Sequence, residues 1–210
     1  VEMVGCVGDD AFGRMLRQNL QAQGVGVERV RAVARVASGI AVIIVDAKGE
    51  NSIVVAPGAN AAVAPQDAES AHELIAAAGA LILQCEVPAS AVRAAMERAA
   101  ETGVPVILNA APAHGIDPAL LAHATYAIVN EHEAEYLTGI AVTGIPSAGR
   151  AASALRALGA EVGIVTLGAA GALYASREDT AHVPARKVRV VDTTAAGDAF
   201  VGGFTVALLR

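Results

Sequence analysis

The sequence predicts an α/β protein of three layers, with a mostly parallel, Rossmann-like sheet between helices and a small separate β element. Three observations carry this. Strand-like and helix-like segments alternate along most of the chain. The strand-like segments are aliphatic runs rather than polar/apolar alternations. The apolar residues are small: 54% of the chain is hydrophobic, yet aromatics make up 3% and tryptophan is absent. Strands that read as aliphatic runs are buried on both faces, as in a parallel sheet covered by helices. Ala, Val, Leu and Ile let those helices lie close to the sheet. The length of 210 residues suits one α/β domain over 1–210.

Residues 1–7 read as a strand, and 10–23 as a helix with Phe12, Met15, Leu16 and Leu20 on one face, stopped at Gly24. Two β-branched runs, 38–46 and 51–56, flank Ala47-Lys48-Gly49-Glu50 and predict a hairpin. Alternation then resumes, with a helix at 65–77 and a strand at 80–84. A helix at 88–102 turns Val92, Ala95, Met96 and Ala99 inward, and a strand follows at 104–109. A strand at 126–130 leads into a helix at 131–138. A helix at 147–158, a strand at 162–167, strands at 171–175 and 187–191, and a helix at 196–209 complete the chain. Repeated strand–helix–strand units imply a parallel sheet whose ligands bind beyond the carboxyl ends of the strands. The residues to inspect are therefore Gly8, Glu86, Asn109, Asn130, Gly168 and the stretch from Asp192 to Asp198.

The net charge of −6 comes with dispersed Lys and Arg, so nucleic acid is not an expected partner, and an anion such as ATP must be met by local donors. The apolar run 39–45 ends at Asp46, far short of a membrane span. Cys6 and Cys85 lie in apolar surroundings and read as buried thiols of a reducing compartment. With no targeting segment in view, the expected location is the cytoplasm. The chain begins inside a strand-like run and stops at Arg210 just after a helix, which predicts a domain truncated at both ends. There is no Gly-x-x-x-x-Gly-Lys-Ser/Thr loop, no Gly-x-Gly-x-x-Gly after a strand, no Gly-x-Ser-x-Gly and no zinc-ligand cluster. His114, His123 and His132 are scattered and read as surface residues.

Asp192-Thr193-Thr194-Ala195-Ala196-Gly197-Asp198 is the most informative stretch: a strand-like run ends, small residues follow, and a helix begins. Ala195, Ala196 and Gly197 leave first-turn amides open, and with the helix dipole these form an anion hole suited to a phosphoryl group. Asp198 in that turn can take the proton of an acceptor hydroxyl as its oxygen attacks the γ-phosphorus of ATP. A structural reading stands beside it: a first-turn acid favours the dipole, and Asp192 or Thr194 is an ordinary cap. Thr166-Leu167-Gly168-Ala169-Ala170-Gly171 follows a strand, with glycines that let main chain approach a ligand, or that simply make a turn. Asn130-Glu131-His132-Glu133 reads first as an N-cap with first-turn acids.

Taken together, these motifs resemble the ribokinase-like (PfkB) carbohydrate kinases. The stretch from Asp192 to Asp198 is similar to the family's C-terminal signature. Val7-Gly8-Asp9-Asp10 with Gly13, Pro57-Gly58-Ala59-Asn60-Ala61, Asn109-Ala110-Ala111-Pro112-Ala113, 130–135 and 166–171 match further motifs in order, over nearly the whole chain. The resemblance implies ATP-dependent phosphorylation of a small sugar, with ribose the first expectation and a fructokinase-like or nucleoside activity the nearest alternative. A binding module without turnover is the alternative from another class. By the same resemblance Asp198 is the catalytic base and contacts both sugar and nucleotide, and Ala195, Ala196 and Gly197 are the anion hole. Glu86 hydrogen-bonds the sugar. Asn130, Thr166, Leu167, Gly168, Ala169, Ala170, Gly171 and Gly197 contact the nucleotide. Glu133 serves the Mg²⁺ and phosphate network, while Asp192 and the Thr194 carbonyl hold an activating K⁺. The family's lid strands can pair between subunits, which implies a homodimer. Its N-terminal Gly-Gly sugar-binding segment and its helices beyond the signature have no counterpart in these residues, and Asn109-Ala110-Ala111-Pro112 stands where Asn-Pro-Ala-Pro is expected.

Overall fold

A computed structural model describes residues 1–45, 51–190 and 192–210, and divides the chain into two compact units. The first comprises 1–72 and 86–95, the second 73–85 and 96–210.

In the first unit, β1 (Glu2–Gly8) and β2 (Gly26–Val33) pair in parallel across α1 (Ala11–Ala22). The Asp10 side chain caps α1 by accepting from the Gly13 amide at 2.7 Å, and Gly24 leaves the helix in the left-handed region at φ 74°. Leu20 packs on Val7, Val27 and Val30, whereas Phe12, Met15 and Leu16 remain 57%, 47% and 41% exposed. A two-stranded sheet is too narrow to cover the whole apolar face expected of α1.

β2 was not expected, and the reason is visible in its burial. Val27 and Val30 are buried while Glu28, Arg29 and Arg31 are exposed, so the strand lacks the period of two that marks a half-buried strand. The hairpin is present as β3 (Ile40–Val45) and β4 (Asn51–Ala56), antiparallel with Val42 opposite Val54. The turn expected at 47–50 lies outside the described residues.

The helix expected over 65–77 is two helices, α2 (Pro65–Ser70) and α3 (His72–Ala76). Ser70 Oγ donates to the Asp67 carbonyl at 2.9 Å, and the Ala71 amide turns to Ala68 instead, so a side chain competes with the helical ladder and tightens its last turn. Asp67 ties this corner together. Its carboxylate accepts from Arg31 at 3.1 and 3.2 Å and caps the Ala64 amide at 2.8 Å. Burial pushes the Asp67 carboxyl up, but the Arg31 and Ala64 hydrogen bonds and the Arg31 charge together hold it below the ordinary value.

A carboxylate lowered in the folded state stabilises above its unfolded pKa and loses that contribution as pH falls. Asp67→Ala is therefore expected to cost about 1–2 kcal/mol at neutral pH, with a narrower gap to the parent at about pH 3. Urea midpoints at both pH values check this. A gap of equal size at both would remove the carboxylate as its cause.

The second unit holds a six-stranded sheet of order β10-β9-β8-β7-β6-β5. β5 (Leu81–Leu83), β6 (Val106–Asn109), β7 (Tyr126–Val129) and β8 (Val162–Thr166) are parallel. β9 (Ala172–Ala175) and β10 (Thr180–Val183) run antiparallel at one edge. The remaining helices are α4 (Ala89–Thr102), α5 (Glu131–Thr138), α6 (Ile145–Ala157) and α7 (Ala196–Leu208). α7 sets Val201, Phe200 and Phe204 against Ile107, Ile128 and Ile164 of the sheet. α6 buries Ala148, Ala151, Ala152 and Leu155 completely.

The expected mostly parallel α/β architecture is the one observed, and the small residues act as anticipated. A Cβ on Gly163 would lie 2.3 Å from the Ala152 carbonyl, so β8 and α6 touch main chain to main chain.

Two details differ from expectation. β10 follows β9 through a turn in which Ser176 accepts the Asp179 amide at 3.0 Å, a connection without the glycine that would have announced it. Residues 187–190 form no strand; Val188 and Val190 are 74% and 64% exposed, and Val191 lies outside the described residues. β9's free edge is already taken by β10, so that segment finds no ladder there.

Candidate active site

The parallel strands deliver several of the expected residues to one edge of the sheet. Asn130 follows β7 and Leu167 follows β8, and these strands are neighbours, with Val129 opposite Val165. Thr166 Oγ1 donates to the Val129 carbonyl at 3.2 Å and joins the two strand ends.

Asn130 caps α5: its Oδ1 accepts the Glu133 amide at 2.9 Å, and Glu133 Oε2 accepts the Asn130 amide at 2.9 Å. The N-cap read in the sequence is thus present, as half of a capping box. It also holds Glu133 in one orientation. Burial raises the Glu133 carboxyl above its ordinary pKa, against the Asn130 hydrogen bond and the His132 charge. Cys85, after β5, is pushed up to about 11 by burial and then by the Glu133 charge, so its thiol stays protonated at neutral pH. Cys6 is buried as expected, while Cys85 is partly buried.

The Thr166–Gly171 segment is a tight turn. The Leu167 amide donates to Gly171 at 2.8 Å and the Ala170 amide to Leu167 at 3.0 Å. Gly168 and Gly171 sit at φ 52° and 101°, where L side chains are strained, so both glycines are required by backbone shape. Leu167 is buried, and Gly168, Ala169 and Ala170 are exposed.

α7 starts at Ala196 after Ala195, which stands at φ 57° and ψ 16° without being glycine. Such a residue costs about 1–2 kcal/mol and persists where the surroundings enforce it, often at a functional turn. The Ala196 amide donates to Thr193 at 3.1 Å, while among the described residues the Gly197 and Asp198 amides have no protein acceptor. Ahead of it, Asp192 Oδ1 accepts both the Thr194 amide and hydroxyl at 2.8 Å. The Thr194 amide, followed by its hydroxyl, lowers the Asp192 carboxyl below the ordinary range and keeps it ionised. Asp198 is exposed in the first turn of α7, and no hydrogen bond or ion pair with a described residue engages its carboxylate.

The two glycine-bearing segments line one cavity. A cavity of about 680 Å³ has Thr166, Gly168 and Gly171 on its wall together with Ala196 and Gly197, with Tyr126, Phe200 and Phe204 among the apolar residues beneath them. Its lining is mainly aromatic and aliphatic, with the Thr166 hydroxyl and the main chain of the glycines among it. That combination suits an anion attached to a flat ring. Glu86 belongs to the first compact unit and is exposed there. Among the described residues no group of three or more His, Cys, Asp or Glu could hold a metal, and no helix is long and apolar enough to cross a membrane.

His182 was missed at the sequence level. Its Nε2 lies 2.6 Å from the Ala170 carbonyl at the tip of the turn, and nothing local to residue 182 signals that contact.

Known proteins resemble this chain in sequence and fold. The chain is 39% identical over 209 residues to a ribokinase of Schizosaccharomyces pombe, covering 98% of this chain and 66% of that protein. It is 38% identical over 205 residues to a deoxyribokinase of Salmonella typhi, covering 97% and 67%. A solved structure of Arabidopsis thaliana ribokinase complexed with ribose and ATP aligns with a TM-score of 0.89 at 30% identity, over 99% of this chain and 69% of that one. The chain spans about two thirds of the length of these relatives. With residues 1–210 all falling within one family match, and the glycine turn and the α7 start sharing a cavity wall, the chain belongs to the pfkB family of carbohydrate kinases.

Proposed function

We propose that this chain supplies the phosphate-transfer centre of an ATP-dependent sugar kinase, converting D-ribose and ATP to D-ribose 5-phosphate and ADP. The observation that carries the reading is the common cavity wall of the Thr166–Gly171 turn and the Ala196–Gly197 helix start. In this reading ATP lies along that wall. Asn130 and residues 166–171 contact it, and its terminal phosphate sits before the amides of Ala195, Gly197 and Asp198.

Asp198 takes the proton of the sugar's 5-hydroxyl as that oxygen bonds to the γ-phosphorus. The bond from the γ-phosphorus to the bridging oxygen breaks, and ADP leaves. Ala196 contributes through the backbone turn, since its amide is committed to Thr193. Glu86 holds a sugar hydroxyl. Closure against water protects the phosphoryl group from hydrolysis.

The donor set fits the implied cations. Mg²⁺ travels with the ATP phosphates, and Glu133, held by the capping box, would serve its network. K⁺ suits the ionised Asp192 and the Thr194 carbonyl in one exposed turn. These ions supply positive charge at the phosphates and beside the anion hole. The exposed Val42, Ile44, Val54 and Val55 on the hairpin support a homodimer through paired lid strands, because an isolated hairpin is marginal in water. The setting is the cytoplasm.

The likeness to a deoxyribokinase favours 2-deoxyribose as a second acceptor. Coupled ADP-release assays test both, using ribose, deoxyribose, fructose and a nucleoside with this chain and with a form lengthened to the span of its relatives. Ribose is expected to give the highest kcat/KM. ADP release that no sugar accelerates in either form would remove the kinase reading and leave a binding module.

A further inference from the structure

We infer that His182 is a positioning residue for the Thr166–Gly171 turn, holding the Ala170 carbonyl so that the turn keeps the shape in which it meets a nucleotide. The inference rests on the nucleotide reading of that turn. Thr166 Oγ1 fixes its root to β7, and the bonds from the amides of Leu167, Ala170 and Gly171 close it on itself. Its tip, Gly168 to Ala170, is exposed, and internal bonds alone leave such a tip free to rock.

β10 supplies the outside grip. In register, His182 stands opposite Leu173 and Val183 opposite Ala172, directly beside the turn's last residue. His182 Nε2 then reaches the Ala170 carbonyl at 2.6 Å. A carbonyl only accepts, so Nε2 carries the hydrogen, as in the Nε2–H tautomer or the imidazolium. Just behind it, the Gly171 α-carbon is pressed on the Val183 carbonyl, where an added Cβ would lie 2.1 Å away. Among the described residues, His182 is the side chain outside the turn that bonds the main chain of its tip. The unexpected strand β10 thus has a local purpose: it carries a donor to the back of the glycine turn.

Mg·ATP titrated calorimetrically into this chain, His182→Phe and His182→Gln tests the inference. The phenylalanine keeps ring bulk and strand propensity without a donor; glutamine restores an N–H donor at similar reach. The Kd for Mg·ATP is expected to rise about 3- to 10-fold in His182→Phe and to return within about twofold in His182→Gln, the size of one hydrogen bond's net effect. Ribose affinity is expected to stay unchanged, and amides 168–170 are expected to exchange faster with deuterium in the phenylalanine variant. Equal Kd values and equal exchange in parent and His182→Phe would overturn the inference while leaving the nucleotide site standing. A parent chain that binds no Mg·ATP would overturn the nucleotide reading and this inference with it. Should the phenylalanine variant fold poorly, His182→Gln decides: a Kd raised as far as in a folded His182→Ala chain would show that the donor does not matter.

Discussion

Replacing Asp198 with asparagine is expected to lower ribose-dependent ADP release roughly 10²–10⁴-fold while ATP binding stays within about twofold. Asparagine has the shape of aspartate and can still hydrogen-bond the acceptor hydroxyl, but it cannot take the proton. The prediction is clean because no described residue engages the Asp198 carboxylate, so its loss leaves no buried partner unsatisfied. The competing account makes Asp198 a dipole-complementing acid in the first turn of α7. That account predicts a stability loss of about 0.3–1 kcal/mol and little change in turnover. Rate and melting temperature, measured on the same preparation, therefore separate the two. Near-normal turnover in Asp198→Asn would take the base away from this residue and leave the dipole account.

The candidate site could be picked out in the sequence because its residues sit where regular structure ends. Gly168, Gly171 and the small residues at 195–197 interrupt strand and helix patterns, and an interruption at a strand's carboxyl end points to a ligand. The same logic made Asn130 and Glu133 ambiguous, since a capping box satisfies a helix start whether or not a ligand is near. The structure gives them the box, and their contribution to phosphate transfer remains a proposal.

What could not be read is long-range. β2 hides its strand character because Glu28, Arg29 and Arg31 break the alternation, Arg31 being drawn toward Asp67 far along the chain. β10 is short, with a polar start, and lacks a glycine turn. His182 acquires meaning through pairing with β9, which no local pattern encodes. The 187–190 run failed in the opposite sense: its alternating valines have strand propensity but find no partner beside β9. Propensity needs a vacant ladder to become a strand.

Gly163→Ala is expected to destabilise the second unit by about 1–3 kcal/mol through overpacking. The added Cβ would stand 2.3 Å from the Ala152 carbonyl and 3.0 Å from Leu155 Cβ, and neither helix main chain nor the root of a side chain can yield as a side-chain tip can. α6 has no slack to offer, because Ala148, Ala151, Ala152 and Leu155 are fully buried against the sheet. Gly202→Ala in α7 is the control of opposite sign. Nothing lies within 4 Å of its Cβ position, so alanine there is expected to stabilise by about 0.5–1 kcal/mol through helix propensity alone. Urea unfolding monitored by circular dichroism reads both. Since β8 ends in Thr166, displacing Gly163 also moves the root of the glycine turn, and the folded fraction of Gly163→Ala is expected to bind Mg·ATP more weakly than Gly202→Ala does. Equal stability of the two variants would mean that α6 retreats from β8 freely, and that the small residues along this interface are not there for close approach.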